Sequence, residues 1–321
     1  MEITELFSLE IMEEARKNIL EGRTIPVYSD VGFKLFFASE SENAVFCRNN
    51  FLSSLTGENI VESMVLNTEI LPEFLGGKVP RVDLYCKTDE GIVIDVEIQM
   101  SRENDDQMVR SIYYGSKLFS GAGKKGRLFK NIPKVYQIML SDFNIFNDKD
   151  YAHHLFFKDQ HNEIATKRLE LVFIEFPKLQ RLLENKGGSY AEILDSLQDD
   201  AFWAILIRNS NNCDFMKSIS SAKRRTEIIE KAGANMIEVS KDEIEWAYHL
   251  SYDRAEIDYK NGMEISREEG LAEGIAQGSR NKAVETARNM LSKNISVEIV
   301  VECTGLSVEE VEKLSENLKK S

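Results

Sequence analysis

The spacing of apolar and polar positions changes character near the middle of the chain. The first 25 residues read as a short helical lead-in that ends near Gly22. In "YSDVGFKLFFASESENAVFCRNNFLSSLTG" (28–57), Phe33, Phe36 and Phe37 recur at helical spacing. That spacing predicts one or two amphipathic helices, with Asp30 as the first N-cap. "IVESMVLNTEIL" alternates like a strand, and Pro72, Gly76, Gly77 and Pro80 punctuate the loop behind it. Two alternating runs in "RVDLYCKTDEGIVIDVEIQM" (81–100) predict a hairpin. An amphipathic helix over about 104–120 follows, then a buried strand in "KVYQIMLSDFNIF", a loop carrying the histidines, and a strand in "RLELVFIEFPKL". This mixture predicts an α/β fold.

Beyond Gly187–Gly188 the strand signals give way to helical patterns, and from about residue 262 the sequence is strongly polar. The expected organisation is a lead-in (1–25), an α/β domain (26–184), a helical domain (189–260) and a polar helical tail (261–321). Gly270, Gly274 and Gly278 each cost a helix about 1 kcal/mol, so that part of the tail is expected to be a connector more than a self-association face. "ISVEIVVECTGLSVEEVEKL" has the shape of a small helix-turn-helix unit. Its glutamates (Glu298, Glu302, Glu309, Glu310, Glu312) suit a protein partner or a structural role better than a DNA groove.

Composition narrows the class. Hydrophobic content of 42% supports a substantial core, and 29% charge is ordinary for a soluble protein. No apolar run is long enough for a membrane span, and the acidic first residues do not read as a leader. Four separated cysteines read as free thiols, so a cytoplasmic setting without a membrane is expected. A net charge of −14 argues against a protein that coats nucleic acid, but it permits a DNA enzyme with one basic surface. "GAGKKGRLFKNIPK" (121–134) is such a surface: Lys124, Lys125, Arg127 and Lys130 are candidate phosphate contacts. The spacing is not that of a Walker loop.

The hairpin carries the candidate chemistry. A three-residue loop, Asp89-Glu90-Gly91, would pair residues whose numbers sum to 180. Leu84, Cys86, Ile92, Ile94, Val96 and Ile98 then share one face; Asp83, Tyr85, Asp95, Glu97 and Gln99 share the other, with Asp83 opposite Glu97. Like charges so placed are destabilising. A raised carboxyl pKa, a neighbouring Lys or Arg, or a divalent cation would relieve them. Oxygen ligands suit Mg²⁺ or Mn²⁺, which can activate a water for attack on a phosphodiester. Gln99 could orient that water, and Asp95, a strand step away, is secondary. An exposed acidic face is the plain alternative. Tyr113 and Tyr114 could pack or touch DNA, His153, His154 and His161 fit no standard metal spacing, and Trp203 and Trp246 read as core anchors.

Asp83 followed by Glu97-x-Gln99 resembles the PD-(D/E)xK nuclease core with Gln in place of the final Lys. "SDVGFKLFF" (29–37) is similar to the D-x-x-F-K-x-x-F opening of the Rpn family of recombination-promoting, transposase-like nucleases. "MVRSIYYGSKLFSGAGKKG", "KVYQIMLSDF" and the "EEGLAEGIAQG" tail are similar too. The resemblance implies a restriction-endonuclease-like core, a mixed sheet flanked by helices, followed by an all-α region. It further implies a DNA endonuclease dependent on Mg²⁺ or Mn²⁺, acting in recombination of mobile elements or phage defence. Asp83 and Glu97 would be metal ligands, Gln99 the third motif residue and Lys34 a substitute cation. Cutting both strands would call for a homodimer or homo-oligomer, and the tail for a protein partner. The alternative is an inactive nuclease fold that binds through its helical half.

Overall fold

The computed structural model describes residues 9–66, 83–101, 106–123, 128–293 and 295–319. Six strands, β1 (Ser63–Val65), β2 (Leu84–Thr88), β3 (Val93–Gln99), β4 (Val135–Ser141), β5 (Ala152–Lys158) and β6 (Ile164–Glu175), form one mixed sheet in the order β1-β2-β3-β4-β6-β5. The β2–β3 hairpin pairs Leu84 with Val96 and Lys87 with Val93, as the three-residue loop requires. Gly91 turns that loop at φ 85°, a region that favours a residue without Cβ. Its N–H donates to the Thr88 carbonyl at 2.9 Å. β3, β4 and β6 run parallel, and β3 reaches β4 through helix α4 (Gln107–Ala122).

The sheet is buried on both faces, and β4 is buried at every position. One face meets α2 (Asp30–Ala38), α3 (Glu42–Thr56) and the later helices α5 (Phe176–Asn185), α6 (Tyr190–Asp195), α7 (Asp199–Arg208), α8 (Cys213–Ile219) and α9 (Thr226–Val239). Phe37 stacks on Phe51 at 4.6 Å between ring centroids, and Trp203 packs against both. The other face is a smaller cluster of Val93, Leu118, Val135, Met139 and Phe173 beneath α4. Gly115 brings α4 down: a Cβ there would lie 2.9 Å from Leu171 and 3.3 Å from Gln137.

The helices beyond Gly187–Gly188, set apart in the sequence reading as a helical domain, share this core. Ala191, Ile205, Phe215, Ala232 and Met236 belong to one cluster with the β-strands. Chain contacts divide the protein at 252/253 into Met1–Tyr252 and Asp253–Ser321. Within the first unit, α1 (Leu9–Leu20) packs with Ile25, Trp246 and Ala247. The segment ahead of α2 is tied to distant parts of the chain: Ile25 N donates to Ser240 Oγ and Val27 N to Ser210 Oγ, both at 2.8 Å. Asn235 Nδ2 donates to the Phe36 carbonyl at 2.8 Å.

Two local expectations are corrected. The N-cap of α2 is Ser29, whose Oγ accepts the Gly32 N–H at 3.1 Å. Asp30 lies in the first turn, where the helix dipole favours an acid. The supposed histidine loop contains an edge strand, β5, whose adjacent His153 and His154 pair with Phe173 and Val172 of β6. In the second unit, the glycine-spaced stretch is continuous helix within α10 (Glu243–Leu291), supported by strong helix formers such as Ala and Leu. The end of α10, α11 (Val297–Thr304) and α12 (Val308–Lys319) enclose a small core of Ala287, Val300, Leu306 and Val311. Gly305 ends α11 at φ 69°, donating its N–H to the Val301 carbonyl.

Gly32 is where α2 makes its closest approach to the preceding chain, since a Cβ would fall 1.9 Å from the Pro26 carbonyl oxygen. Gly32→Ala should therefore destabilise the first unit by roughly 1–3 kcal/mol, as overpacking does. Gly278→Ala, in open space on a helix, should stabilise by up to about 1 kcal/mol. Denaturant melts of the two variants check both signs.

Candidate active site

Parallel strands β3, β4 and β6 end together, with Gln99 in register with Ser141 and Ser141 with Glu175. Open α/β sheets bind ligands at such carboxyl ends. Asp83 arrives at the same edge, one residue before β2. Its Oδ2 accepts the Ile98 N–H at 3.0 Å, so the hairpin itself fixes the carboxylate. Lys34, on the turn of α2 that its buried phenylalanines turn toward the sheet, places Nζ 3.4 Å from Asp83 Oδ1. Lys34 is 45% exposed and Asp83 17%. Burial, and then the nearby Asp30, push the Asp83 carboxyl up; the Ile98 N–H and Lys34 pull it down. The structure thus brings Lys34 and Asp83 together.

The acidic face of the hairpin is not open to water. Asp95 is 0% and Glu97 2% exposed, because α4 lies over them. Arg110, one turn into α4, puts Nε 3.5 Å from Glu97 Oε2, with its guanidinium 5.3 Å from the Tyr114 ring centroid. Burial, and then the neighbouring Glu97, raise the Asp95 carboxyl well above its ordinary range. Gln137, its ladder partner on β4, sets its amide against Asp95 without closing a well-formed hydrogen bond. Asp95 therefore lies within electrostatic reach of both Glu97 and Asp83. Arg110 and the burial of Asp95 were missed by sequence reasoning; the signal for both was the apolar stripe of α4, whose buried Ser111, Gly115 and Leu118 recur at helical spacing.

Gln99 is half-buried at the strand end, its Nε2 donating to the Ser101 carbonyl at 3.4 Å. The basic loop stands elsewhere. Lys124, Lys125 and Arg127 lie outside the described residues. Lys130 is exposed in a short 3₁₀ turn, Phe129–Asn131, near the start of β4. That end of the sheet is where Val93 N donates to the Lys134 carbonyl, roughly 20 Å from Gln99 at strand rise. Lys130 is not brought to the carboxylates. A cleft of about 630 Å³ at that same far end, lined by Glu58, Lys134, His154 and Glu170, holds none of the hairpin acids. There Lys134 pairs with Glu58 at 2.6 Å, and His154 Nδ1 lies 2.7 Å from Glu170 Oε1. His153 stacks on Phe146 and pairs with Asp148 at 2.9 Å, while His161 lies in a turn beyond β5. Tyr113 is partly exposed beside Lys117, whereas Tyr114 packs under Arg110.

Among the described residues, no three His, Cys, Asp or Glu side chains gather into a metal cage. Asp83 and Glu97 nonetheless offer the hard oxygen donors that Mg²⁺ takes in ones and twos, with waters and phosphate oxygens completing the shell. In the metal-free chain Lys34 and Arg110 supply the positive charge that these carboxylates attract, and a bound cation would share or take over that role.

Asp95 binds its proton more tightly folded than unfolded, so the stability it contributes is present at acid pH and is lost as pH rises above the ordinary carboxylate value of about 4. Asp95→Asn should raise the melting temperature at neutral pH, by about 2–4 °C per kcal/mol regained, and leave it unchanged near pH 4. Thermal melts of metal-free protein across pH measure the difference.

No curated protein and no solved structure matches the chain. The family model described as PD-(D/E)XK nuclease family transposase matches residues 27–266, and that described as the Rpn/YhgA-like nuclease family C-terminal HTH domain matches residues 280–316. With the mixed sheet and the helix pair already described, the matches mean that this chain belongs to the PD-(D/E)XK nuclease family transposases of the Rpn type.

Proposed function

We propose that the chain is a divalent-metal-dependent DNA endonuclease that hydrolyses phosphodiester bonds at the edge formed by Asp83, Glu97 and Gln99. The observation that carries this reading is the convergence of Asp83 and Glu97 on one sheet end, each faced by a cation, Lys34 and Arg110. Asp83 and Glu97 would hold Mg²⁺ or Mn²⁺. When bound, the metal supplies activation of a water and neutralisation of charge on the phosphate. The Ile98 N–H holds the Asp83 carboxylate in place. Arg110 orients Glu97 from the covered side and sets a positive charge against a buried acid. Gln99 lacks the positive charge of the usual lysine, so its amide can only orient a water or a phosphate oxygen. Lys34, the more exposed of the two cations, is the one able to swing from Asp83 to the charge that develops on phosphate. The biological setting proposed is recombination of mobile elements or phage defence, with a homodimer serving double-strand cleavage and a protein partner at the tail.

A second reading, an inactive nuclease fold that binds other molecules, draws on Gln99 and on the acidic first turn of α12, with Glu309 and Glu310. Supercoiled plasmid separates the readings. With Mg²⁺ or Mn²⁺ the native chain should nick or linearise it, and Asp83→Ala and Glu97→Ala should each lose about a hundredfold or more. Mg²⁺ should also raise the native melting temperature and leave both variants unmoved. A well-folded native chain that neither cleaves nor binds metal would favour the binding module.

The pH profile provides a further check. Asp83 must be ionised to hold a cation, and Asp30 adds to the forces that keep it protonated. Asp30→Asn removes one of those forces, so the acid limb of the cleavage profile should move to lower pH.

A further inference from the structure

Next to the carboxylates, the strand-end edge carries one more built feature. Asp142 follows β4 directly, and its N–H donates to the Gln99 carbonyl at 3.0 Å, which places it one strand over from the motif glutamine. Arg208, the last residue of α7, grips it with two bonds: Nε to Oδ1 at 3.0 Å and Nη2 to Oδ2 at 3.1 Å. The guanidinium also lies 5.0 Å from the ring centroid of Tyr28. That ring is itself anchored, since Asn211 Nδ2 donates to its hydroxyl at 2.9 Å and the neighbouring Val27 N–H is held by Ser210. Arg208 nevertheless stays 37% exposed. A fork with one edge fixed by a carboxylate keeps the N–H groups of Nη1 on its other edge, and stacking on an aromatic plane sets the direction in which they point.

Geometry and charge together suit a phosphate better than mere tethering. The guanidinium is preorganised, which reduces the entropy lost when it takes a bidentate oxyanion. In the site it flanks, Lys34 and Arg110 already face Asp83 and Glu97, and a polyanion approaching these carboxylates gains from further positive charge at the rim. The basic loop cannot provide that charge through Lys130, which stands at the far end of the sheet.

We propose that Arg208, set by Asp142 and Tyr28, is a backbone-phosphate contact for the nucleic acid strand lying across the carboxyl ends of β3 and β4. This rests on the nuclease reading, and it deepens that reading by assigning the neighbouring phosphate a residue outside the D…ExQ motif. Asp142 acts as a positioning residue, and Lys34 and Arg208 stand on the α2 and α7 sides of the edge.

The test is the salt dependence of binding to a fluorescein-labelled DNA duplex, measured by anisotropy in calcium buffer. Loss of one phosphate contact should reduce the slope of log K against log salt by about 1. Arg208→Ala should show that reduction and bind roughly tenfold more weakly at low salt. Arg208→Lys keeps the charge and loses the fork, so its slope should stay native while affinity falls several-fold. Asp142→Asn keeps an acceptor oxygen to position Nε while leaving the guanidinium less neutralised, so its affinity should hold or tighten. If Arg208→Ala lowers the melting temperature too far to assay, the Lys and Asn variants decide the matter. Native slope in Arg208→Ala, native affinity in Arg208→Lys, or equal weakening in Asp142→Asn would reduce the pair to a structural ion pair and overturn the proposal. Failure of the native chain to bind duplex at all would overturn this proposal and the nuclease reading together. Native binding with unaffected variants would sink only the role of Arg208.

Discussion

Burying carboxylates beneath a helix is the constraint on which this molecule turns. Two acids on one strand, Asp95 and Glu97, lie out of contact with water, a situation normally tolerated only when the charge is removed or matched. Here both remedies are at hand: burial and the neighbouring Glu97 push the Asp95 carboxyl up, toward its neutral form, and Arg110 faces Glu97. Neither works unless α4 sits close to the sheet, and Gly115 permits that approach over Gln137. The helix that completes the parallel crossover is therefore also the lid on the acids, so fold and site share one packing requirement.

On the other side of the same strands the demands are ordinary. Phenylalanines of α2 and α3 and Trp203 of α7 fill the larger cluster, and their packing turns Lys34 toward Asp83 at the sheet's end. The edge is thus served from two directions, by α2 and α7 on one face and α4 on the other. The second unit is built on a smaller core around Val300 and Val311, and its match to a helix-turn-helix domain agrees with the turn at Gly305. Its glutamate-rich last helix runs against the charge that DNA attracts.

Much of the candidate site's geometry was legible because a hairpin is a local object. Three residues of loop chemistry and strict alternation determine which side chains are opposed, and the observed register follows from them. The α2 segment was legible for a similar reason, through phenylalanines at helical spacing. What escaped was decided by partners distant in sequence. Alternation cannot say whether a polar face meets solvent or another helix, so the burial of Asp95 was invisible. Strand β5 was missed because an edge strand with neighbouring histidines lacks a clear apolar period. Ser29 and Asp30 both favour helix starts, and only backbone geometry told them apart. The helical region past Gly187 looked separate because a composition change marks a change of secondary structure and need not mark a change of core.

The bonds from Ser210, Asn235 and Ser240 to the segment around α2 have a consequence for biosynthesis. Lys34 leaves the ribosome early, yet the groups that seat its helix are translated some two hundred residues later. A nascent chain that has finished the hairpin and its carboxylates still lacks the parts that lock α2 into place. Long-range pairings of this kind form late. The edge that carries Asp83 and Lys34 is therefore completed only after the helical region has emerged, so synthesis of the later helices is itself a condition for seating Lys34.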